Sequence, residues 1–226
     1  MKTTIAIAHG KAAALFIDLQ EEHRRDQRLL SVGFDRVIDN VVLLQAAARA
    51  NRVPLHHYAY VVDVAASDIR PFHPRLPDGR SAFSDKDDPL TAICAEVAPR
   101  GEEPLLVKSE ASAFGQGLGK ELKAQGIEWL FVAGVWTEAC VDATVKDALK
   151  LGFRVALVKD ACASGSLAMH QTGILNLANR LYGGAVVTTD AACRLMAGET
   201  AQGWSPQGPV PLRYEAETIA TLYEDL

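Results

Sequence analysis

Short, continuous apolar runs alternate along this chain with longer stretches that have helical periodicity. Residues 12–18 (AAALFID), 53–60 (VPLHHYAY), 104–108 (PLLVK), 129–135 (WLFVAGV), 153–160 (FRVALVKD) and 185–189 (AVVTT) have the length of strands. Their unbroken hydrophobic character predicts burial on both faces. Between them, residues 34–51 put Val37, Val41, Leu44 and Ala48 on one helical stripe. Residues 137–151 do the same with Ala139, Val141, Val145, Ala148 and Leu149, and Gly152 stands where a C-cap glycine belongs. Thr137 is placed as its N-cap. Residues 167–182 form a further helix with Ile174, Leu177, Ala178 and Leu181 inward, a helix starts near Phe114, and a short one covers 90–97. Strands alternating with helices predict a parallel sheet with helices on both faces.

Two segments fall outside that alternation. Residues 61–90 are polar and carry Pro71, Pro74, Pro77 and Pro89. A loop of that length in a compact domain is expected to be functional, here as a cover over a site. His73 lies within it, and a solvated or structural role fits a lone histidine better than a substrate contact. From Ala201 the sequence turns rich in proline and glycine, then ends in an amphipathic stretch over 214–225. The expected organisation is a domain over 1–200 and a tail over 201–226 that docks on its own surface or on a neighbouring subunit.

Composition narrows the function classes. The 226 residues are 49% hydrophobic and 23% charged, with a formal net charge of -5. That balance is ordinary for a globular protein and gives no electrostatic footprint for nucleic acid. No apolar run reaches membrane-spanning length, and His9, Gly10 and Lys11 interrupt the N-terminal stretch where a signal peptide would have its apolar region. The reading is a cytoplasmic protein with no membrane partner. Cys94, Cys140, Cys162 and Cys193 are widely spaced with no C-x-x-C pair, so neither a zinc knuckle nor a disulfide framework is indicated. Gly115, Gly117 and Gly119 lack the G-x-G-x-x-G spacing of a dinucleotide site.

Chemistry concentrates at strand ends. The run at 12–18 ends in Asp18, the run at 104–108 ends in Lys108, and the run at 129–135 leads through a turn to Cys140. In open α/β sheets the carboxyl edge of the strands is where ligands bind. Each residue alone has a bland alternative: an aspartate that caps the next segment, or a cysteine that merely packs. Together they supply a base, a cation and a thiol on one edge. Asp18 can take the thiol proton, and Lys108 can stabilise a thiolate and orient the carboxylate. Cys140 falls in the first turn of a helix, where free N–H groups and the helix dipole favour a thiolate. The N–H groups of Trp136 and Cys140 are placed to face a developing oxyanion. Gln20, Tyr60, Phe114 and Trp136 are candidate substrate contacts, with backbone bonding for Gln20 and core packing for the aromatic residues as the alternatives. Asp160 is expected to tie its strand end to a neighbouring turn.

At this point the chain resembles the isochorismatase-like cysteine hydrolases, a family that includes nicotinamidases and N-carbamoylsarcosine, ureidoacrylate and biuret amidohydrolases. The matching pieces are FIDLQ with Asp18 and Gln20, LLVKSEASAF with Lys108, and GVWTEACVDATVKDALKLGFRVALVKDACAS with Cys140. The last carries the pattern G-V-x-T-x-x-C-V-x-x-T-x-x-D-A, the most specific of the three. The resemblance spans about residues 12–197 and implies a three-layer, Rossmann-like α/β fold with a six-stranded parallel sheet. It also implies an Asp18–Lys108–Cys140 triad, a non-proline cis peptide at Val135–Trp136, and a homo-oligomer, dimer or tetramer.

Two departures shape the expected substrate. His23 stands where family members often carry an aromatic residue, which makes that pocket wall more polar. The family's nicotinamidase metal site has no counterpart here, since Asp63 and His73 are isolated. No metal and no cofactor are therefore expected, and nicotinamide is disfavoured. Family members that cleave a vinyl ether lack the cysteine, so Cys140 points to amide, ureido or carbamoyl substrates hydrolysed through a thioester. Competing readings keep the fold but use Cys140 as a redox or detoxifying thiol, or use the chain as a non-catalytic scaffold. The missing C-x-x-C partner and the complete triad argue against them.

Overall fold

The computed structural model describes residues 1–66 and 69–226. In chain order its strands are β1 (Lys2–Ile5), β2 (Ala12–Ile17), β3 (Leu55–Tyr60), β4 (Leu105–Lys108), β5 (Trp129–Val135), β6 (Arg154–Ala163), β7 (Ala185–Val187) and β8 (Ala201–Trp204). The helices are α1 (Glu22–Arg25), α2 (Phe34–Ala50), α3 (Leu118–Ala124), α4 (Asp142–Lys150), α5 (Leu167–Ala178), α6 (Thr189–Met196) and α7 (Ile219–Glu224). All eight strands join one sheet in the order β1-β8-β7-β6-β5-β2-β3-β4. The stretch from β7 to β4 is parallel throughout.

β2 and β5 lie side by side at the centre, and every residue of both is buried. That explains their unbroken apolar sequence: a strand covered by helices on both faces has no solvent side to alternate toward. Ala14 and Phe16 face the layer that contains Val37, Val41 and Leu44 of α2 and Leu195 of α6. Ala13, Leu15 and Ile17 face the layer built from Leu122 of α3, Val145 of α4 and Ile174 of α5. Each fully buried leucine or isoleucine in these layers contributes roughly 2 kcal/mol.

The parallel core has the six strands that the resemblance implies, but the sheet itself has eight. β8 runs antiparallel to β7, and β1 pairs antiparallel with β8, Lys2 opposite Trp204. The expected boundary at residue 200 is thereby corrected, because residues 201–204 complete the sheet rather than leave it. Their pairing partner lies at the opposite end of the chain, which no local pattern reveals. Beyond β8 the chain folds back onto its own α5 side. Asn179 exchanges side-chain hydrogen bonds with the Leu212 backbone, and the Lys159 ammonium donates to the Tyr223 carbonyl at 2.9 Å. The expected helix over 90–97 is two single 3₁₀ turns, Pro89–Thr91 and Ala95–Val97. Among the described residues, no helix is long and apolar enough to cross a membrane.

Candidate active site

The carboxyl edge of β2, β3, β4 and β5 frames a cavity of ≈ 310 Å³. Asp18 leaves the end of β2 with φ 52, a left-handed conformation that aspartate tolerates better than most residues. The residue is only 3% exposed. Lys108, at the end of β4, reaches past the end of β3: its ammonium sits 4.6 Å from the centre of the Tyr60 ring and donates to Asp18 Oδ2 at 2.7 Å. A second bond, to the Glu110 carbonyl at 3.2 Å, fixes the amine further. Asp18 Oδ1 has no hydrogen-bond partner among the described residues. The carboxylate therefore has one oxygen committed to the ammonium and one available.

Cys140 comes from the turn after β5. Gly134 permits the close approach of β5 to β2 that this turn requires: a Cβ there would meet the Ile17 carbonyl oxygen at 2.1 Å, and its φ is 133°. The Val135–Trp136 peptide is cis. Residues Thr137–Val141 then form a π turn that leads into α4. Within it the N–H groups of Ala139 and Val141 both bond the Trp136 carbonyl, which passes over the N–H of Cys140.

Thr137 does not act as an N-cap. It anchors the turn from below, donating from Oγ1 to the Ala163 carbonyl at 3.0 Å and meeting His170 Nδ1 at 2.8 Å. A hydroxyl has one proton to give, so Nδ1–H is the donor in the second contact. Neutral His170 then accepts at Nε2 from the Tyr223 hydroxyl, 3.0 Å away. Burial and the nearby Lys159 charge keep His170 neutral, pushing its pKa down to about 4. Gly173 lets α5 pack this closely, since a Cβ there would lie 2.9 Å from Thr137 Cγ2.

The electrostatics differ from the expectation for a first-turn cysteine. The Cys140 thiol is pushed up to about 12, by burial first and then by the Asp18 charge, with Lys108 pulling it down. Burial outweighs the favourable turn, so the resting group is a thiol. Burial also raises Asp18, against the opposing pull of Lys108. A base raised toward the thiol it must deprotonate makes the transfer less uphill. Cys94 and Cys162 are buried and likewise raised to about 12, and neither lines the cavity.

The other predicted contacts divide. Tyr60 and Trp136 line the cavity. Tyr60 is held by a hydroxyl bond to the Ser109 carbonyl at 2.7 Å, and Trp136 sits against Gly165. Gln20 does not line it: its amide donates to the carbonyls of Tyr60 and Thr91 and accepts from the Tyr60 N–H, which ties the ends of β2 and β3 together. Phe114 is also outside, with its ring 6.0 Å from that of Phe153 in the core. His23, expected on a pocket wall, lines the cavity, and Glu22 beside it, which the sequence did not single out, does so too. The stretch around them reads as a charged loop, yet α1 turns both into the cavity wall. His23 Nδ1 meets the Leu29 carbonyl at 3.2 Å, and burial lowers its pKa. Among the described residues, no three His, Cys, Asp or Glu side chains are grouped to hold a metal ion.

The Isochorismatase domain model matches residues 12–191. The chain belongs to the isochorismatase family. It is 33% identical over 141 residues to maleamate amidohydrolase of Pseudomonas putida, covering 58% of this chain and 66% of that one. It is 26% identical over 198 residues to N-carbamoylsarcosine amidase of Arthrobacter sp, covering 84% and 73%. Among solved structures, a cysteine hydrolase from Pseudomonas syringae pv. phaseolicola superimposes with a TM-score of 0.75 at 20% identity, over 85% of this chain and 95% of that one. That likeness establishes the shared fold.

Proposed function

We propose that this chain hydrolyses a small carboxamide, ureido or carbamoyl compound through a thioester on Cys140, releasing ammonia or an amine. The observation that carries the reading is the buried Lys108–Asp18 pair, 2.7 Å apart, with Asp18 and Cys140 lining one cavity. The names of two relatives, an amidohydrolase and an amidase, support the same bond type.

The steps follow from the groups present. Asp18, through its uncommitted oxygen, takes the proton from Cys140 as sulfur attacks the substrate carbonyl carbon. The carbonyl π electrons move to oxygen, and the oxyanion lies against the N–H groups of Trp136 and Cys140. Collapse breaks the C–N bond, and the leaving nitrogen takes its proton from Asp18. Water, deprotonated by Asp18, then attacks the thioester and expels the thiol. Lys108 holds the carboxylate in place through all of this and offsets the charge that moves between sulfur and oxygen.

Ammonia release from nicotinamide, biuret, N-carbamoyl amino acids, ureidoacrylate and maleamate tests the reading, with Cys140→Ser as the control. The expected result is ammonia from at least one compound with the wild-type protein and none with the variant. Release that survives in Cys140→Ser, or no release from any of them, would overturn it.

A further inference from the structure

Glu22 is the cavity's second buried carboxylate, and the catalytic steps do not use it. It is 4% exposed and sits on the wall that includes His23, Leu29, Phe83 and Ser84. Ser84 donates to it twice, from its N–H to Oε2 at 2.9 Å and from its hydroxyl to Oε1 at 2.5 Å. Ser84 achieves this with φ 49, a conformation uncommon for a residue other than glycine. The 61–90 segment is thus bent at this point to aim two donors at a carboxylate 62 residues away in sequence. Burial pushes the Glu22 carboxyl up, and the two Ser84 donors oppose that by favouring the ionised form, in which each oxygen keeps a further lone pair.

No positive charge offsets it in the cavity. Among the described residues lining the space there is no lysine or arginine. The Lys108 ammonium is committed to Asp18 and the Glu110 carbonyl. Arg70, on the covering loop, is paired with the Glu110 carboxylate. His23 is kept neutral by burial, and its Nε2 lies 3.8 Å from Glu22 Oε1. Once the Asp18–Lys108 pair is counted as neutral, the cavity carries one uncompensated negative charge against largely apolar walls.

We propose that Glu22 sets the charge class of the substrate. The cavity accepts small amides whose far end is neutral or cationic with an N–H donor, and it rejects those that end in a carboxylate. A carboxylate placed there would meet a fixed like charge with no cation to hold it, and discrimination by repulsion is as effective as discrimination by attraction. This deepens the hydrolase reading and rests on it for the identity of the site. It separates this chain from its maleamate-hydrolysing relative, since maleamate is itself an anion.

Three amides of nearly equal shape test it: succinamate (anionic), succinamide (neutral) and 4-aminobutanamide (cationic). Their affinities for the Cys140→Ser protein are read by calorimetry, and ammonia release by the wild-type protein is read in parallel. The expected result is that succinamide and 4-aminobutanamide bind at least about tenfold more tightly than succinamate. In the same background, Glu22→Gln should bring succinamate close to succinamide. Equal or tighter binding of succinamate would overturn the proposal without recourse to any Glu22 variant. So would an unchanged ratio in a folded Glu22→Gln protein, or failure of all three amides to bind. If the affinity order holds but no amide of any charge yields ammonia, the hydrolase reading fails and the charge assignment stands.

Discussion

Lys108 Nζ lies 2.7 Å from Asp18 Oδ2, and the two side chains are only 7% and 4% exposed. With so little water at hand, the Asp18 carboxylate depends on the Lys108 ammonium for its compensating charge. Lys108→Met should therefore leave a buried, uncompensated carboxylate and lower stability by about 3–5 kcal/mol. The measurement is the urea midpoint at neutral pH. A variant as stable as the parent would show that the pair is not sealed in this way.

The charges around Cys140 make a signed prediction for Asp18→Asn. Burial and the Asp18 charge both hold the thiol up, to about 12, while Lys108 pulls it down. Removing the carboxylate charge leaves burial and Lys108, so thiolate forms at lower pH than in the wild type. Turnover should nevertheless collapse by several orders of magnitude, because no base remains to take and return the proton. The rate of Cys140 alkylation by iodoacetamide as a function of pH, set beside ammonia release, separates the two effects. An alkylation profile moved to higher pH would contradict the charge assignment.

His170 links the nucleophile turn to the C-terminal segment and should leave a mark on acid stability. Its folded pKa is depressed from 6.5 to about 4. Between those values the unfolded chain binds a proton that the folded one does not, so stability rises with pH across the window. It is lost as pH falls from 6.5 through 4, by up to ~3 kcal/mol. His170→Asn keeps an N–H donor for Thr137 without the titration, and it should flatten this limb in urea melts at pH 4 to 6.5 relative to the parent. An unchanged slope would mean that other groups carry it.

Gly134→Ala is expected to be among the most damaging single substitutions in the chain. The added methyl carbon would lie 2.1 Å from the Ile17 carbonyl oxygen, in the centre of the sheet, at a φ of 133°. Neither strand can move away, since β2 and β5 are each hydrogen-bonded to another strand on the opposite side. A loss above about 4 kcal/mol, or failure to fold, follows. A thermal midpoint close to the parent's would contradict the packing described.

β5 and the body of α4 were legible because a strand buried on both faces leaves an unbroken apolar run, and because Gly152 (φ 82) marks the helix end; the π turn between them was not. Asp160, read as a tie between strand end and turn, accepts from both the N–H and the hydroxyl of Thr189. β1 and β8 were hidden because KTTI and AQGW have no strong pattern of their own and exist by pairing across nearly the whole chain. Glu22 was hidden for a related reason. In EEHRR nothing local tells which glutamate turns inward, and the partner that receives it, Ser84, belongs to a loop far along the chain. Gln20 was placed at the right sheet edge, and Phe114, expected to open a helix, lies in a 3₁₀ turn just before α3; periodicity does not say whether a side chain near a site faces ligand or neighbour.

Everything chemical in this account passes through a bond between Cys140 sulfur and the acyl carbon of the substrate. The most direct test is intact-protein and peptide mass spectrometry on samples acid-quenched during turnover of a cleaved amide. The account predicts an added mass equal to the acyl group on the Cys140 peptide, absent in Cys140→Ala, with ammonia release absent there too. Ammonia release with no adduct on Cys140, and with undiminished rate in Cys140→Ala, would contradict it.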